Sequence, residues 1–313
     1  MTAYKISFSI FHRLLLALLA VSLVPLVLLW AVGSAQVRKD VAANIANRLL
    51  STSSTISNAI VNWDDTNVRV LRTAAAIEDI RSMVPERQKP ILHVFGATYE
   101  WAFVIFTIAP NGDNIARSDT MPLVTFGDRN YFKSAMAGET ISRQVVISRS
   151  KNKPVLALAV PIRNDDGEPI GVLAMAMQLD DVASVIKDTQ VGQTGYALLL
   201  DAEKKLIATG VPGQTGKVVM DMAGHPALAV EGVDTAPTVY RRPDGKMVVA
   251  FVKKLPQGWM LIVEQDYDEA YASLEALNTG ALLLIALTSC CVLIFAFVLG
   301  KALTRAGQET QTT

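Results

Sequence analysis

Two stretches of this chain carry no charge, residues 14–32 and residues 281–299, and the sequence between them mixes apolar and polar positions as a water-soluble protein does. Each stretch holds 19 residues, enough for an α-helix to cross a ~30 Å hydrocarbon layer at ~1.5 Å per residue. The pattern predicts two transmembrane helices, at residues 14–33 and 279–300, bracketing one outer region.

That outer region opens with helical spacing. Val37, Val41, Ile45, Leu49, Ile56, Ile60 and Trp63, then Leu71, Ala75, Ile77 and Ile80, recur at three- and four-residue steps with Arg, Asp and Asn between them. A stalk helix over residues 34–85 is expected, closed by Pro85. A helix this long must lean on other structure, and its first part serves either as a scaffold or as the seam of a homodimer.

The period then changes to that of strands. Residues 101–108 run into the Asn111-Gly112 turn and return through 114–118; strands follow at 141–148, 154–162 and 169–178, with a short helix at 130–137 and another from Leu179. A second set occupies 195–200, 206–209, 238–242, 246–252 and 259–264, before residues 266–278 turn helical and enter the second span. The expected class is α+β, with one antiparallel module at residues 86–190, a second at 191–278, and their boundary near residues 190–193.

Charge orients the spans. Lys5 and Arg13 precede the first and Lys301 and Arg305 follow the second, which keeps the tails, residues 1–13 and 301–313, in the cytoplasm and the outer region outside, although Arg38 and Lys39 weaken the bias. A cleaved signal peptide is the rival reading, but the apolar run is long for one and Ser34-Ala35-Gln36 makes a poor cleavage site. Only fourteen residues follow Leu299, so the chain reads as a receptor's sensory part or as a subunit that acts on a separate signalling partner. A net charge of +0 argues against nucleic acid as a partner.

Candidate chemistry is sparse. Both cysteines, Cys290 and Cys291, lie in the second span, and His12, His93 and His225 lack zinc-helix spacing, so neither a metal nor a cofactor is expected. Asp64-Asp65, Asp165-Asp166 and Asp180-Asp181 read as a wet helix face, a turn and a helix start. With no nucleophile elbow, phosphate loop or zinc-protease helix, the chain does not read as an enzyme.

An ordered series of short strings carries a resemblance: Gly127-Asp128-Arg129-Asn130-Tyr131-Phe132, then Lys153-Pro154-Val155 through Ala159-Val160-Pro161-Ile162, Asp166-Gly167 with Gly171-Val172-Leu173-Ala174, Gly192-Gln193-Thr194-Gly195-Tyr196-Ala197, and Leu255-Pro256-Gln257-Gly258-Trp259. In that order, across the whole outer region, they resemble the double Cache sensor family of bacterial transmembrane receptors. The resemblance implies two PAS-like modules on a long N-terminal helix, flanked here by two transmembrane helices, in the bacterial inner membrane with the sensor in the periplasm. It implies a small-molecule pocket in the membrane-distal module, with Arg129 gripping a ligand carboxylate, Tyr131 and Phe132 as the aromatics beside it, and Trp101 in the wall. The plainer alternative stays open, that Arg129 only bonds nearby carbonyls and the aromatics only fill core.

The departures matter as much. Amino-acid-binding members hold an aspartate for the ligand ammonium where this chain has Ala176, and an aromatic where it has Val124. An unpaired buried ammonium is costly, so the expected ligand is a small organic carboxylate rather than an α-amino acid. Arg143, Arg149, Lys151 and Lys153 add positive charge nearby or form a solvated loop. The expected role is an extracytoplasmic sensor signalling through the second span; the runner-up is a membrane-tethered assembly protein with a vestigial pocket.

Overall fold

The structure, a computed structural model, describes residues 10–187, 191–211, 219–229 and 233–309. Lys5 and residue 190 of the expected module boundary lie outside the described residues. By internal contacts the chain divides into two units, one made of its two ends up to Ile45 and from Ala270, the other spanning Ala46–Glu269.

In the unit formed by the ends, two helices dominate: α1, Ile10–Ala75, which continues into the other unit, and α7, Ala272–Glu309. Both contain segments long and apolar enough to cross a membrane. Val21 and Leu29 on α1 and Leu283 and Phe297 on α7 are 78, 74, 66 and 67% exposed. Side chains bared to that degree on all sides suit hydrocarbon rather than water.

The other unit contains two sheets of five antiparallel strands. The first consists of β1 (Ala102–Ile108), β2 (Asn114–Arg117), β3 (Ser142–Ile147), β4 (Pro154–Arg163) and β5 (Pro169–Gln178), ordered β2-β1-β5-β4-β3. The second consists of β6 (Tyr196–Leu200), β7 (Leu206–Thr209), β8 (Thr238–Arg241), β9 (Met247–Lys254) and β10 (Met260–Asp266), ordered β7-β6-β10-β9-β8. The topology therefore repeats. So does the register: Ala176 stands between Val104 and Ala157 in the first sheet, as Glu264 stands between Tyr196 and Ala250 in the second.

Both faces of the first sheet are covered, which is why β4 and β5 are buried almost without interruption instead of alternating. Val104, Phe106, Val155, Ala157 and Ala176 share a cluster with Phe126 and with Tyr131, Phe132 and Ala135 of α4 (Asn130–Met136). Along α1, Leu49, Ile56, Ile60 and Leu71 are fully buried, the stripe that the helical spacing predicts. Polar bonds tie α1 to both modules: Arg48 to Gln265 and Ser54 to Lys253 in the second, Asp64 to Arg143 and Asn67 to Trp101 in the first.

The expected stalk boundary is corrected. The helix ends at Ala75, a single turn α2 follows at Glu78–Arg81, and Pro85 begins rather than ends a helix, α3, Pro85–Thr98. Proline suits the first helical position because its missing N–H would have no partner there. Gln88 anchors α3 by donating to the Ile80 carbonyl at 2.7 Å and accepting from the Thr107 hydroxyl at 2.6 Å. After α5 (Leu179–Lys187) and the second sheet, the expected helix at 266–278 is α6 (Tyr267–Ala270) followed by α7.

Candidate ligand-binding site

The loop before α4 is built against the β1–β2 turn. Gly112, at φ +89°, lies so close to Gly127 that a Cβ there would come within 2.5 Å of the Gly127 Cα. Its carbonyl accepts from the Phe126 N–H at 2.7 Å and the Thr125 hydroxyl at 3.1 Å. Arg129 then occupies the N-cap of α4 in extended backbone, without a side-chain cap bond.

These elements enclose a narrow cavity of about 20 Å³, between β1, β4 and β5 beneath and the loops of residues 124–131 and 146–151 above. Arg129, Tyr131 and Ala176 line it, with Val104, Phe106 and Phe126 as apolar walls. That volume holds about one water, so a larger guest enters only as the loops part.

Electrostatically the cavity is ringed by three guanidiniums, those of Arg117, Arg129 and Arg149. Arg117 pairs with Asp119 through two bonds at 2.7 and 3.0 Å, and Arg149 pairs with Asp128 at 2.5 Å. Burial pushes the Asp119 carboxyl up, but the bond and charge of Arg117 outweigh it and hold it below the usual carboxylate range. The Arg149 bond holds Asp128 low as well. Arg129 has no acid partner among its hydrogen bonds; it donates to the Ile147 carbonyl at 2.9 Å, and its Nε is buried with no partner. The Tyr131 phenol is pushed well up by burial and stays a neutral hydroxyl.

Of the residues expected at the site, the structure brings three together and not the other two. Phe132 is buried in the cluster under α4 but is not among the residues lining the cavity. Trp101 is turned away, its indole N–H donating to Asn67 on α1 at 2.8 Å and its ring edge-on to Tyr99. Val124 packs against the cluster, and its carbonyl holds Asn114. Asp64 corrects the wet-face reading: it is 3% exposed and bonded by Arg143 through both oxygens. Lys151 sits over the Phe103 ring at 4.0 Å.

Arg117 is the charged lining residue that sequence reasoning missed. An arginine after a hairpin turn looks like solvated surface; the only hint was Asp119 two residues on.

Across residues 33–274 the sequence matches the family model of the Cache domain. The chain belongs to the Cache domain family. Methyl-accepting chemotaxis protein PctB of Pseudomonas aeruginosa is 23% identical over 315 residues, covering 96% of this chain and 48% of PctB. Methyl-accepting chemotaxis protein McpA of Pseudomonas putida is 24% identical over 281 residues, covering 87% of this chain and 42% of McpA. The chain thus spans about half the length of the curated relatives it matches. Among solved structures, the ligand-binding domain of the Pseudomonas fluorescens chemoreceptor CtaA in complex with L-leucine aligns with a TM-score of 0.60 at 18% identity, covering 76% of this chain and 99% of that domain. That likeness shows the Cache fold, with its long helix and paired PAS-like sheets.

Proposed function

We propose that this Cache chain is the periplasmic input of a two-pass inner-membrane receptor with both termini cytoplasmic, and that its first module binds a small organic carboxylate. One observation carries the reading: around the cavity three arginines meet two aspartates, leaving Arg129 with buried donor capacity and no acid bonded to it. A guanidinium in that state is suited to a carboxylate, which takes two parallel N–H bonds. CtaA is in complex with an α-amino acid, but here Ala176 lines the cavity, no acid is among its lining residues, and the two aspartates nearby are engaged by arginine. An ammonium group would enter without a free carboxylate to pair with.

Strand β3 is the proposed route outward. Its end supplies the Ile147 carbonyl to Arg129, its Arg143 grips Asp64 on α1, and Arg143 and Gln144 line a cleft with Ala202 and Glu203 of the second module. A ligand drawing Arg129 away from Ile147 would shift the packing of β3 on both partners, by as much as its affinity differs between the two arrangements. The second span then passes the change to a cytoplasmic output or partner, with two receptor copies paired along α1.

Melting of the full chain in lipid nanodiscs against short carboxylates, amino acids, amines and nucleobases tests this. Carboxylates at about 100 times their dissociation constant should add about 2.7 kcal/mol of stability, and Arg129→Ala should abolish that gain while leaving the unliganded melt in place. A shift with amino acids alone, or one that survives Arg129→Ala, would refute the assignment.

A further inference from the structure

Arg117 has a free donor in a place where free donors are expensive. Its side chain is 2% exposed, and burying a guanidinium is tolerated only when its N–H groups are paired. Asp119 accepts from Nε and Nη2, and the Ser150 hydroxyl accepts from Nη2 at 3.1 Å. Nη1 is buried without a partner, and Arg117 lines the same cavity as Arg129, whose own Nε is also unpaired.

The cavity is therefore rich in donors and poor in acceptors. No acid is among its lining residues, and the two aspartates nearby are taken by Arg117 and Arg149. What remains is the hydroxyls of Tyr131, Ser148 and Ser150 among apolar walls. One cation without a bonded acid is matched by one negative charge on the guest. The spare Arg117 donor calls for an uncharged acceptor beside that charge.

We propose that Arg117 is a ligand contact and that the site selects a 2-oxo monocarboxylate, whose carboxylate meets Arg129 while the adjacent carbonyl oxygen accepts from Arg117 Nη1. This rests on the carboxylate reading of the cavity. Three forms of the neighbouring carbon compare directly. An ammonium adds donors and a positive charge with no free carboxylate to balance it, a methylene leaves Nη1 unsatisfied, and a carbonyl oxygen satisfies it without asking for anything in return.

Calorimetric titration of the full chain in nanodiscs compares propanoate, 2-oxopropanoate and L-alanine, and the five-carbon counterparts pentanoate, 2-oxopentanoate and L-2-aminopentanoate. In at least one set the 2-oxo acid should bind at least about tenfold more tightly than its parent acid, and the amino acid most weakly. Arg117→Lys keeps a cation beside Asp119 but has no group equivalent to Nη1; there the 2-oxo preference should shrink to about twofold or less while the parent acid still binds. If that variant fails to fold, Arg117→Met with Asp119→Asn removes both charges together and carries the same comparison. Equal binding of the 2-oxo and parent acids, or a preference that survives both variants, overturns this inference and leaves the carboxylate reading standing. Tightest binding by the amino acid, or binding by no carboxylate at all, overturns both.

Discussion

Arg143 on β3 sets its guanidinium against both carboxylate oxygens of Asp64 on α1, at 2.9 and 2.6 Å. The two side chains are 17 and 4% exposed, so the pair joins the edge of the first sheet to the long helix in a largely dry setting. Breaking one side of such a pair strands a buried charge. Arg143→Met should lower the stability of the sensor unit by about 3–5 kcal/mol, and adding Asp64→Leu should recover most of it. Thermal and urea unfolding of the two variants in nanodiscs measures both effects.

A second expectation concerns Trp101, whose indole is spent on Asn67 rather than on the cavity. Trp101→Phe should cost about 1 kcal/mol of stability by removing that bond. Ligand affinity should change by less than about twofold. Calorimetry on the variant reads the second number; a large loss would return Trp101 to the binding wall.

Ala176 offers the opposite kind of change. Replacing it with Asp puts a carboxylate among the arginines of the cavity, which should weaken carboxylate binding at least about tenfold and provide the missing acceptor for an ammonium group. Titration of Ala176→Asp with propanoate and L-alanine should show the preference moving toward the amino acid.

The second module carries a pH dependence. Burial lowers the pKa of His225, partly offset by Glu264, and its ring packs edge-on to Tyr240. Its folded pKa thus lies below the ordinary value of about 6.5 in the unfolded chain. The unfolded state then binds the proton first, so stability is complete above that value and falls as pH drops through it toward the folded pKa. Chemical denaturation between about pH 5 and pH 7 should show this decline in the native protein and a shallower one in His225→Asn, which keeps an acceptor for the Ala227 N–H.

How much of this was legible in the sequence depended on whether local chemistry and tertiary packing agreed. Strand β5 matches its expected bounds because the Asn164–Gly167 turn precedes it and the acidic start of α5 follows it. The long helix was visible from its apolar stripe. Its end was misplaced because Ile77 and Ile80 continue the spacing, although the chain has already turned at Ala76, and because proline was read as a stop where it serves as a start. At the site, Arg129 and Tyr131 came from the resemblance. Arg117 and the burial of Asp64 were invisible because each depends on a partner brought from another element: Ser150 lies 33 residues from Arg117, and Arg143 lies 79 from Asp64.

The matched register of the two sheets bears on what occupies the same place in each. At the rung where the first sheet has Ala176, the second has Glu264, fully buried, with the Tyr240 hydroxyl donating to it and Arg242 held between Tyr196, Glu264 and Asp266. The second module carries a resident tenant, an arginine from its own backbone seated on its own acid, which cannot be exchanged for anything dissolved outside. At the same rung the first module has only the methyl group of Ala176, and an outside guest bound there would take the seat that the second module fills from within.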